Sequence, residues 1–322
     1  MMLEVENLTV ALPTPDGYRK AVDDMSFTVA AGEVLGIAGE SGSGKTMTAM
    51  SLFGLLPHGA KVTGSIRLDG AELIGLPDKR LRAIRGRQIA MVSQDPSAAL
   101  HPILTIGTQL TEHMRFHLGV GKAEAVSRAV DLLGTVRIPD PEQALHSYPG
   151  QFSGGMRQRI AIAVALAAEP RLLVADEPTT ALDVTVQAGI LRLLDRLCRE
   201  RDMAVIVITH DLGVMSALAH RVCVMYAGRL AESGPTSTLL AKPRHPYTRG
   251  LLDALPHPEA GRAPLVPIGG SPPSLGHVPE GCPFHPRCTY AVASCAAGRP
   301  DPVPVADGHL LACPPDPLAV VS

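Results

Sequence analysis

One glycine-rich segment constrains the fold of this 322-residue chain more than any other. Residues 39–46 read GESGSGKT and fit the pattern G-x-x-x-x-G-K-[ST] at each fixed position. Residues 34–38 before it form an apolar run of strand type, and residues 46–56 after it have the composition and apolar spacing of a helix. A strand, a glycine-rich loop and a helix in this order predict a phosphate-binding loop in an α/β fold.

The residue types in this loop suit a nucleotide. Glycines allow the backbone to turn so that successive amide groups converge on an anion, and the helix N-terminus adds partial positive charge. We expect Lys45 to neutralise the β- and γ-phosphates and the Thr46 hydroxyl to bind magnesium. The alternative is a flexible linker that fits by chance, but linkers rarely separate a buried strand from a helix. The expected nucleotide-binding residues are Gly39, Glu40, Ser41, Gly42, Ser43, Gly44, Lys45 and Thr46.

A pair of acidic residues follows a later apolar run. Residues 172–175 read LLVA and predict a buried parallel strand, which delivers Asp176 and Glu177 to its carboxyl end. Asp176 suits a magnesium shell, and Glu177 suits activation of an attacking water as a general base. An acidic turn in solvent before Pro178 is the alternative, and the phosphate loop makes it the weaker one.

A third segment, residues 152–158, reads FSGGMRQ and opens a predicted helix at 156–168. With the loop and the acidic pair, it resembles the LSGGQ signature of the ATP-binding subunits of ABC transporters, although Phe152 and Met156 replace the usual leucine and glutamine. The resemblance implies that the signature caps a nucleotide held by a facing cassette. Taken alone, its serine would simply cap the helix. The residues implied to face phosphate are Ser153, Gly154 and Gly155.

Further elements of the same family occur in the expected order. Gln94 follows a predicted strand at 89–93, Asp183 ends the segment TALD, and His210 follows a predicted strand at 204–209. The resemblance implies that Gln94 touches the metal or the attacking water and that His210 senses the γ-phosphate. In isolation each would be an ordinary turn or structural residue. The implied catalytic residues are Glu177, His210 and Lys45, and the implied magnesium ligands are Thr46, Gln94 and Asp176. Gln94 and Asp183 are also implied nucleotide contacts.

The adenine-stacking residue is less well defined. The family stacks the base on an aromatic residue upstream of the phosphate loop, and Tyr18 is the nearby tyrosine. An alignment through residues 24–27 places the family position nearer Asp16, so Tyr18 is displaced by about two residues. Because PDGYR has the composition of a turn, a surface hairpin residue is the alternative.

The resemblance implies an α/β fold of the P-loop NTPase type. Residues 1–235 would form the ABC cassette, with a RecA-like core sheet, an antiparallel β subdomain and a helical subdomain at 97–165. Residues 236–322 would form a Pro- and Cys-rich C-terminal extension. Of the chain's 29 prolines, 15 lie between Pro256 and Pro317, and this density predicts turns and extended segments instead of long helices or central strands.

Four of the six cysteines lie in the extension: Cys282, Cys288, Cys295 and Cys313. In a cytosolic chain, clustered thiols favour metal over disulfides. Four thiolates satisfy a [4Fe-4S] cluster or tetrahedral zinc, and the lack of a C-x-x-C pair weakens the zinc alternative; free or structural thiols are the third possibility. Cys198 and Cys223 have the pattern of isolated core residues.

Three segments narrow the resemblance to the ATPases of oligopeptide and dipeptide importers. Residues 246–249 (PYTR), 270–274 (GSPPS) and 282–288 (CPFHPRC) resemble their C-terminal extension, for which an iron–sulfur cluster is implied. Residues 52–57 and the stretch after them favour the D-type subunit. The implied function is to power peptide uptake through ATP-driven cassette dimerisation. The implied partners are an F-type ATP-binding subunit or a second copy, two permeases and an extracytoplasmic binding protein, at the cytoplasmic face of the membrane.

Composition excludes other classes. A net charge of −2 and a pI near 6.6 do not indicate nucleic-acid binding, and the basic run at 79–87 predicts a solvated helix face. No apolar run reaches the ~18 residues of a transmembrane helix, and a signal peptide is not evident. Two alternatives stay open: the same role for nickel, glutathione or another small solute, and a soluble ABC-type ATPase.

Overall fold

The computed structural model describes residues 1–179, 183–255 and 266–319. The strands are β1 (Leu3–Thr14), β2 (Gly17–Val29), β3 (Val34–Ala38), β4 (Lys61–Leu68), β5 (Ala71–Glu72), β6 (Ile89–Val92), β7 (Leu172–Asp176), β8 (Ala204–Thr209), β9 (Arg221–Tyr226), β10 (Arg229–Pro235), β11 (Val303–Ala306) and β12 (His309–Leu311). The helices are α1 (Lys45–Phe53), α2 (Asp78–Ile84), α3 (Pro96–Ala99), α4 (Ile106–Leu118), α5 (Lys122–Thr135), α6 (Pro141–Ala144), α7 (Gly154–Leu166), α8 (Val184–Arg201), α9 (Leu212–Leu218), α10 (Thr236–Ala241), α11 (Pro246–Asp253) and α12 (Ala293–Ala297).

The core sheet carries the site. Within the described ranges its strand order is β11-β12-β10-β9-β3-β8-β7-β6, and β9, β3, β8, β7 and β6 run parallel. Every residue of β3, β7 and β8 is buried, because these near-continuous apolar runs are covered on both faces. The carboxyl ends of the parallel strands therefore share one edge, where α/β sheets place ligands.

An antiparallel sheet packs against this core. Its strand order is β2-β1-β4-β5, and its inward side chains share one apolar cluster with residues of the core sheet. Leu8, Val10 and Phe27 are on the antiparallel side of this cluster, and Leu35 and Ile206 are on the core side. Burial on one face only explains the alternating pattern of β1, in contrast to the continuous apolar runs of β3 and β8.

A helical lobe separates β6 from β7 along the chain. Helices α4 to α7 pack around a second apolar cluster that includes Ile106, Leu110, Leu133 and Ile160. The Thr105 hydroxyl caps α4 by accepting the amide N–H of Thr108 at 3.3 Å. Among the described helices, none combines the length and the apolar character needed to span a bilayer.

The C-terminal extension docks on the free edge of the core sheet. The hairpin β11-β12 pairs with β10, with Leu311 opposite Glu232. The side chain of Arg299 donates to Asp23 at 2.7 Å, which ties the extension to β2. Proline density predicts turns and extended segments, but it does not indicate that two short strands join the core sheet.

Candidate functional site

The phosphate-binding loop lies between β3 and α1. Its backbone has positive φ at Gly39 (150°), Gly42 (80°) and Gly44 (102°), a region that side chains rarely tolerate. A Cβ atom on Gly39 would also lie 2.3 Å from the backbone oxygen of Met225. Close packing against β9 and the turn itself therefore both require glycine at position 39.

Lys45 is folded into this loop. Its side chain is only 6 % exposed, and Nζ donates to the carbonyl oxygens of Gly39 at 2.7 Å and Glu40 at 2.9 Å. Burial lowers the pKa of the ammonium, while the carboxylates of Glu177, Asp176 and Glu40 act to raise it. The loop thus holds a buried cation at the place where the sequence predicts phosphate.

Asp176 and Thr46 place side-chain oxygen atoms near that cation. Asp176 is buried at the end of β7, and Thr46 opens α1. Burial raises the pKa of Asp176, a hydrogen bond from Thr46 lowers it, and Glu177 acts to raise it. A carboxylate next to a hydroxyl at the carboxyl edge of the sheet is a donor set that suits Mg²⁺.

Glu177 lies where three strands end. Its carboxylate accepts the side-chain N–H of Gln94 at 3.1 Å and lies 3.2 Å from Nδ1 of His210. Its backbone has φ 48°, and its N–H donates to Ile208 at 2.8 Å, which pins this uncommon conformation to β8. The structure therefore brings Gln94, Glu177 and His210 together from β6, β7 and β8, as their strand-end positions predict.

The signature segment lies elsewhere, at the start of α7. Ser153 caps this helix by accepting the N–H of Met156 at 3.3 Å, and a Cβ on Gly155 would lie 2.7 Å from Val186. Across the described residues, no hydrogen bond or ion pair joins residues 153–155 to the phosphate loop. This arrangement is compatible with a signature that acts on a facing copy.

Two other expected nucleotide contacts have local roles in the structure. Asp183 caps α8 by accepting the N–H of Val186 at 2.9 Å, and the preceding residues 180–182 lie outside the described residues. Tyr18 lies in the β1-β2 hairpin, 45 % exposed, with Lys61 Nζ 3.9 Å from the centre of its ring. A stacking role for Tyr18 stays a prediction.

The four extension cysteines are predicted to hold a metal, and the structure shows no such site among the described residues. Three of them, Cys282, Cys295 and Cys313, line a cavity of about 510 Å³, and the N–H of Cys282 donates to the Cys295 carbonyl at 2.8 Å. Burial, followed by the neighbouring thiols, raises the pKa of Cys313 to about 12. Across the described ranges no group of three or more Cys, His, Asp or Glu side chains is arranged to hold a metal. The predicted [4Fe-4S] cluster at Cys282, Cys288, Cys295 and Cys313, and its zinc alternative, are therefore not supported.

Two extension residues that the sequence did not single out reach the phosphate loop. The Tyr247 hydroxyl accepts a hydrogen bond from the backbone N–H of Glu40 at 2.7 Å, and Arg287 forms a bidentate ion pair with the Glu40 carboxylate. Both residues belong to motifs noted in the sequence, PYTR and CPFHPRC. Those motifs carried a resemblance but no indication of which side chain faces the cassette.

Family comparisons divide the chain into two parts. Residues 22–180 match the family model described as ABC transporter, and residues 231–295 match that of the oligopeptide/dipeptide transporter C-terminal region. The first match contains the phosphate loop, the signature and the acidic pair. The second begins in β10 and includes Tyr247 and Arg287.

Individual relatives indicate the same family and match longer stretches of the chain. The chain is 50% identical to the oligopeptide transport ATP-binding protein OppD of Haemophilus influenzae over 91% of each chain. It is 48% identical to the dipeptide transport ATP-binding protein DppD of Bacillus subtilis, over 97% of this chain and 94% of the relative. Among solved structures, the dimeric post-hydrolysis state of the cassette MJ0796 bound to ADP and Pi has a TM-score of 0.66 at 29% identity, over 73% of this chain and 99% of that one.

Proposed function

The chain belongs to the family of ABC-transporter ATP-binding proteins for oligopeptides and dipeptides, and we propose from this premise that it hydrolyses ATP to power the import of small peptides. The observation that carries the proposed hydrolysis is the position of Glu177, held between Gln94 and His210 beside the phosphate loop. The peptide class is supported by relatives named for oligopeptide and dipeptide transport that match almost the whole chain, extension included.

The proposed role of Glu177 is that of general base. Gln94 donates to one carboxylate oxygen and His210 contacts the other, so both groups limit rotation of the carboxylate. A carboxylate held in this way can accept the proton of a water that attacks the γ-phosphate, a contribution typically worth about 10²- to 10⁴-fold in rate. His210 is 59 % exposed on its side chain, so a γ-phosphate can approach it from solvent.

The buried cation of Lys45 has a separate role in binding. Its Nζ contacts two loop carbonyls, so the ammonium is already desolvated and directed into the loop before the anion arrives. We propose that it exchanges contacts with these carbonyls for phosphate oxygens. When magnesium is bound, Thr46 and Asp176 would hold it, with Gln94 nearby, and the metal would neutralise charge on the phosphates.

Hydrolysis is proposed to need two cassettes. Ser153 caps α7 and both signature glycines begin it, and no described hydrogen bond or ion pair joins them to the chain's own phosphate loop. A helix N-terminus with a Ser/Gly cap suits a γ-phosphate held by another subunit. We propose an F-type subunit as the partner, with a second copy of this chain as the other arrangement, and the solved MJ0796 cassette is described as dimeric.

The remaining partners are proposed to lie in and beyond the membrane. In this arrangement, closure of the cassette pair moves two permease subunits, and an extracytoplasmic protein delivers the solute. The chain would act at the cytoplasmic face as a peripheral subunit. The permeases and the binding protein would select the solute, because the site described in this chain is one for a nucleotide.

The test is the ATPase rate of the assembled transporter in lipid vesicles. The chain is co-expressed with its neighbouring permease and cassette genes and assayed with binding protein that is empty or loaded with peptide. We expect peptide to stimulate hydrolysis, and we expect Lys45→Ala to remove it. Stimulation by nickel or glutathione but not by peptide would reassign the solute, and hydrolysis that ignores both permease and solute would contradict the importer function.

A further inference from the structure

We propose that Tyr247 and Arg287 of the C-terminal extension are positioning residues for the phosphate loop, so that the extension sets the nucleotide affinity of the cassette. The inference rests on the proposed nucleotide-binding function. It concerns Glu40, the second residue of the loop, whose backbone and side chain are both held from the extension. The contact spans 247 residues of sequence between Glu40 and Arg287.

Glu40 is a junction between three groups. Its backbone N–H donates to the Tyr247 hydroxyl at 2.7 Å, and its backbone carbonyl accepts Lys45 Nζ at 2.9 Å. Its carboxylate receives both terminal nitrogens of Arg287, at 2.6 Å and 3.0 Å. One residue thus connects the extension directly to the lysine that is proposed to bind phosphate.

Arg287 is built into its position. Its side chain is only 5 % exposed, its Nε donates to the Gly269 carbonyl at 2.8 Å, and its Nη1 reaches the Tyr226 hydroxyl at 3.3 Å. A guanidinium fixed on several sides pairs with a carboxylate in a defined geometry, unlike a mobile surface pair. Glu40 is therefore held by a rigid partner.

The Tyr247 contact is equally constrained. Tyr247 is fully buried, and its ring packs against Tyr226 and Phe284 with centroids 4.6 Å and 5.3 Å away. Tyr226 ends β9, next to the phosphate loop, and Phe284 lies in the CPFHPRC motif with Arg287. This aromatic cluster fixes the hydroxyl relative to both the core sheet and the extension.

Electrostatics gives the sign of the effect. An unpaired carboxylate in a phosphate-binding loop repels the triphosphate and attracts the Lys45 ammonium away from it. Arg287 neutralises that carboxylate, and Tyr247 holds the peptide group between Gly39 and Glu40, whose Gly39 carbonyl accepts Lys45 Nζ at 2.7 Å. Loss of either extension group should therefore weaken nucleotide binding even where the fold survives.

The experiment is calorimetric titration of the full-length chain with Mg-ATP, with thermal melting of each variant in parallel. We expect Arg287→Gln to weaken ATP binding about 10-fold and Tyr247→Phe about fivefold, within the range of site-to-site coupling. The double variant Glu40→Gln/Arg287→Gln should recover most of the affinity, because the unpaired carboxylate is then gone. A loss that came only from poor folding would not be rescued in this way.

Arg244→Gln is the matched control. Arg244 forms an ion pair with Asp316 inside the same extension and makes no described contact with the phosphate loop; its side chain is 26 % exposed, against 5 % for Arg287. We expect its melting temperature to fall while its ATP affinity stays within about twofold of wild type. If Arg287→Gln binds ATP as tightly as wild type, or if Arg244→Gln loses as much ATP affinity as Arg287→Gln, the role of the extension is overturned and the proposed function is not. A wild-type chain that fails to bind ATP would overturn the proposed function with it.

Discussion

Mild acid should weaken the C-terminal extension through His245. This residue is 3 % exposed at the start of α11, and its Nδ1 accepts the backbone N–H of Tyr247 at 3.0 Å. Burial lowers the pKa of His245 from 6.5 to about 4, although the Glu232 carboxylate acts to raise it. The folded protein therefore keeps this imidazole neutral, which its role as a hydrogen-bond acceptor requires.

The sign and size of the effect follow from proton linkage. Between pH 6.5 and about 4 the unfolded chain binds a proton at His245 that the folded chain excludes, so acid favours unfolding in that window. The stability is complete above pH 6.5 and is lost as the pH falls toward 4. Linkage over this pKa shift gives a loss of about 2 kcal/mol in unfolding free energy between about pH 7.5 and about pH 5.0.

Urea unfolding followed by circular dichroism across this pH range measures the loss, since the chain has no tryptophan for fluorescence. His245→Asn is the informative variant because asparagine keeps a cap acceptor but does not titrate. His58→Asn, at an exposed histidine, is the matched control and should keep the wild-type pH dependence. If His245→Asn loses as much stability in acid as wild type does, burial of His245 is not the cause.

Three further predictions concern other parts of the fold. Asp23→Asn should cost about 2–4 kcal/mol of unfolding free energy, because this carboxylate is only 5 % exposed and is surrounded by cations. Asp301 also pairs with Arg229 but is 78 % exposed, so Asp301→Asn should cost less than about 1 kcal/mol. Equal losses of the two variants in urea unfolding would contradict this. Gly39→Ala should abolish ATP binding in calorimetry because its Cβ would clash with a backbone oxygen, while Gly134→Ala, in open space, should bind ATP normally and gain about 0.5–1 kcal/mol. Ser153→Arg should lower steady hydrolysis but leave the ATP affinity of the isolated chain unchanged, and a weakened affinity would place the signature in its own subunit's site.

The parts of the site that could be predicted are those whose signal is local. Strands β3, β7 and β8 are continuous apolar runs buried on both faces, so their positions follow from short stretches of sequence. The residues directly after them lie at one edge because parallel strands share their carboxyl ends. Glu177 and His210 meet there for this reason. The cassette fold and the transporter family are likewise confirmed.

The parts that could not be predicted depend on contacts between distant segments. The pairing of β12 with β10, and of Arg287 with Glu40, leaves no periodic pattern in either partner. The spacing of the cysteines is uninformative for the same reason, because it gives the number of thiols but not whether they are arranged around a metal. In the structure, ion pairs and an aromatic cluster hold the proline-rich extension to the cassette.

The most direct measurement is steady-state ATP hydrolysis by the assembled transporter carrying Glu177→Gln, with ATP affinity measured in parallel. The variant keeps the size of the side chain and removes the carboxylate that Gln94 and His210 hold. We expect the rate of hydrolysis to fall at least about 100-fold while the ATP affinity stays within about threefold of wild type. Hydrolysis at the wild-type rate would contradict the role of Glu177 as general base and the proposed catalytic function of this site.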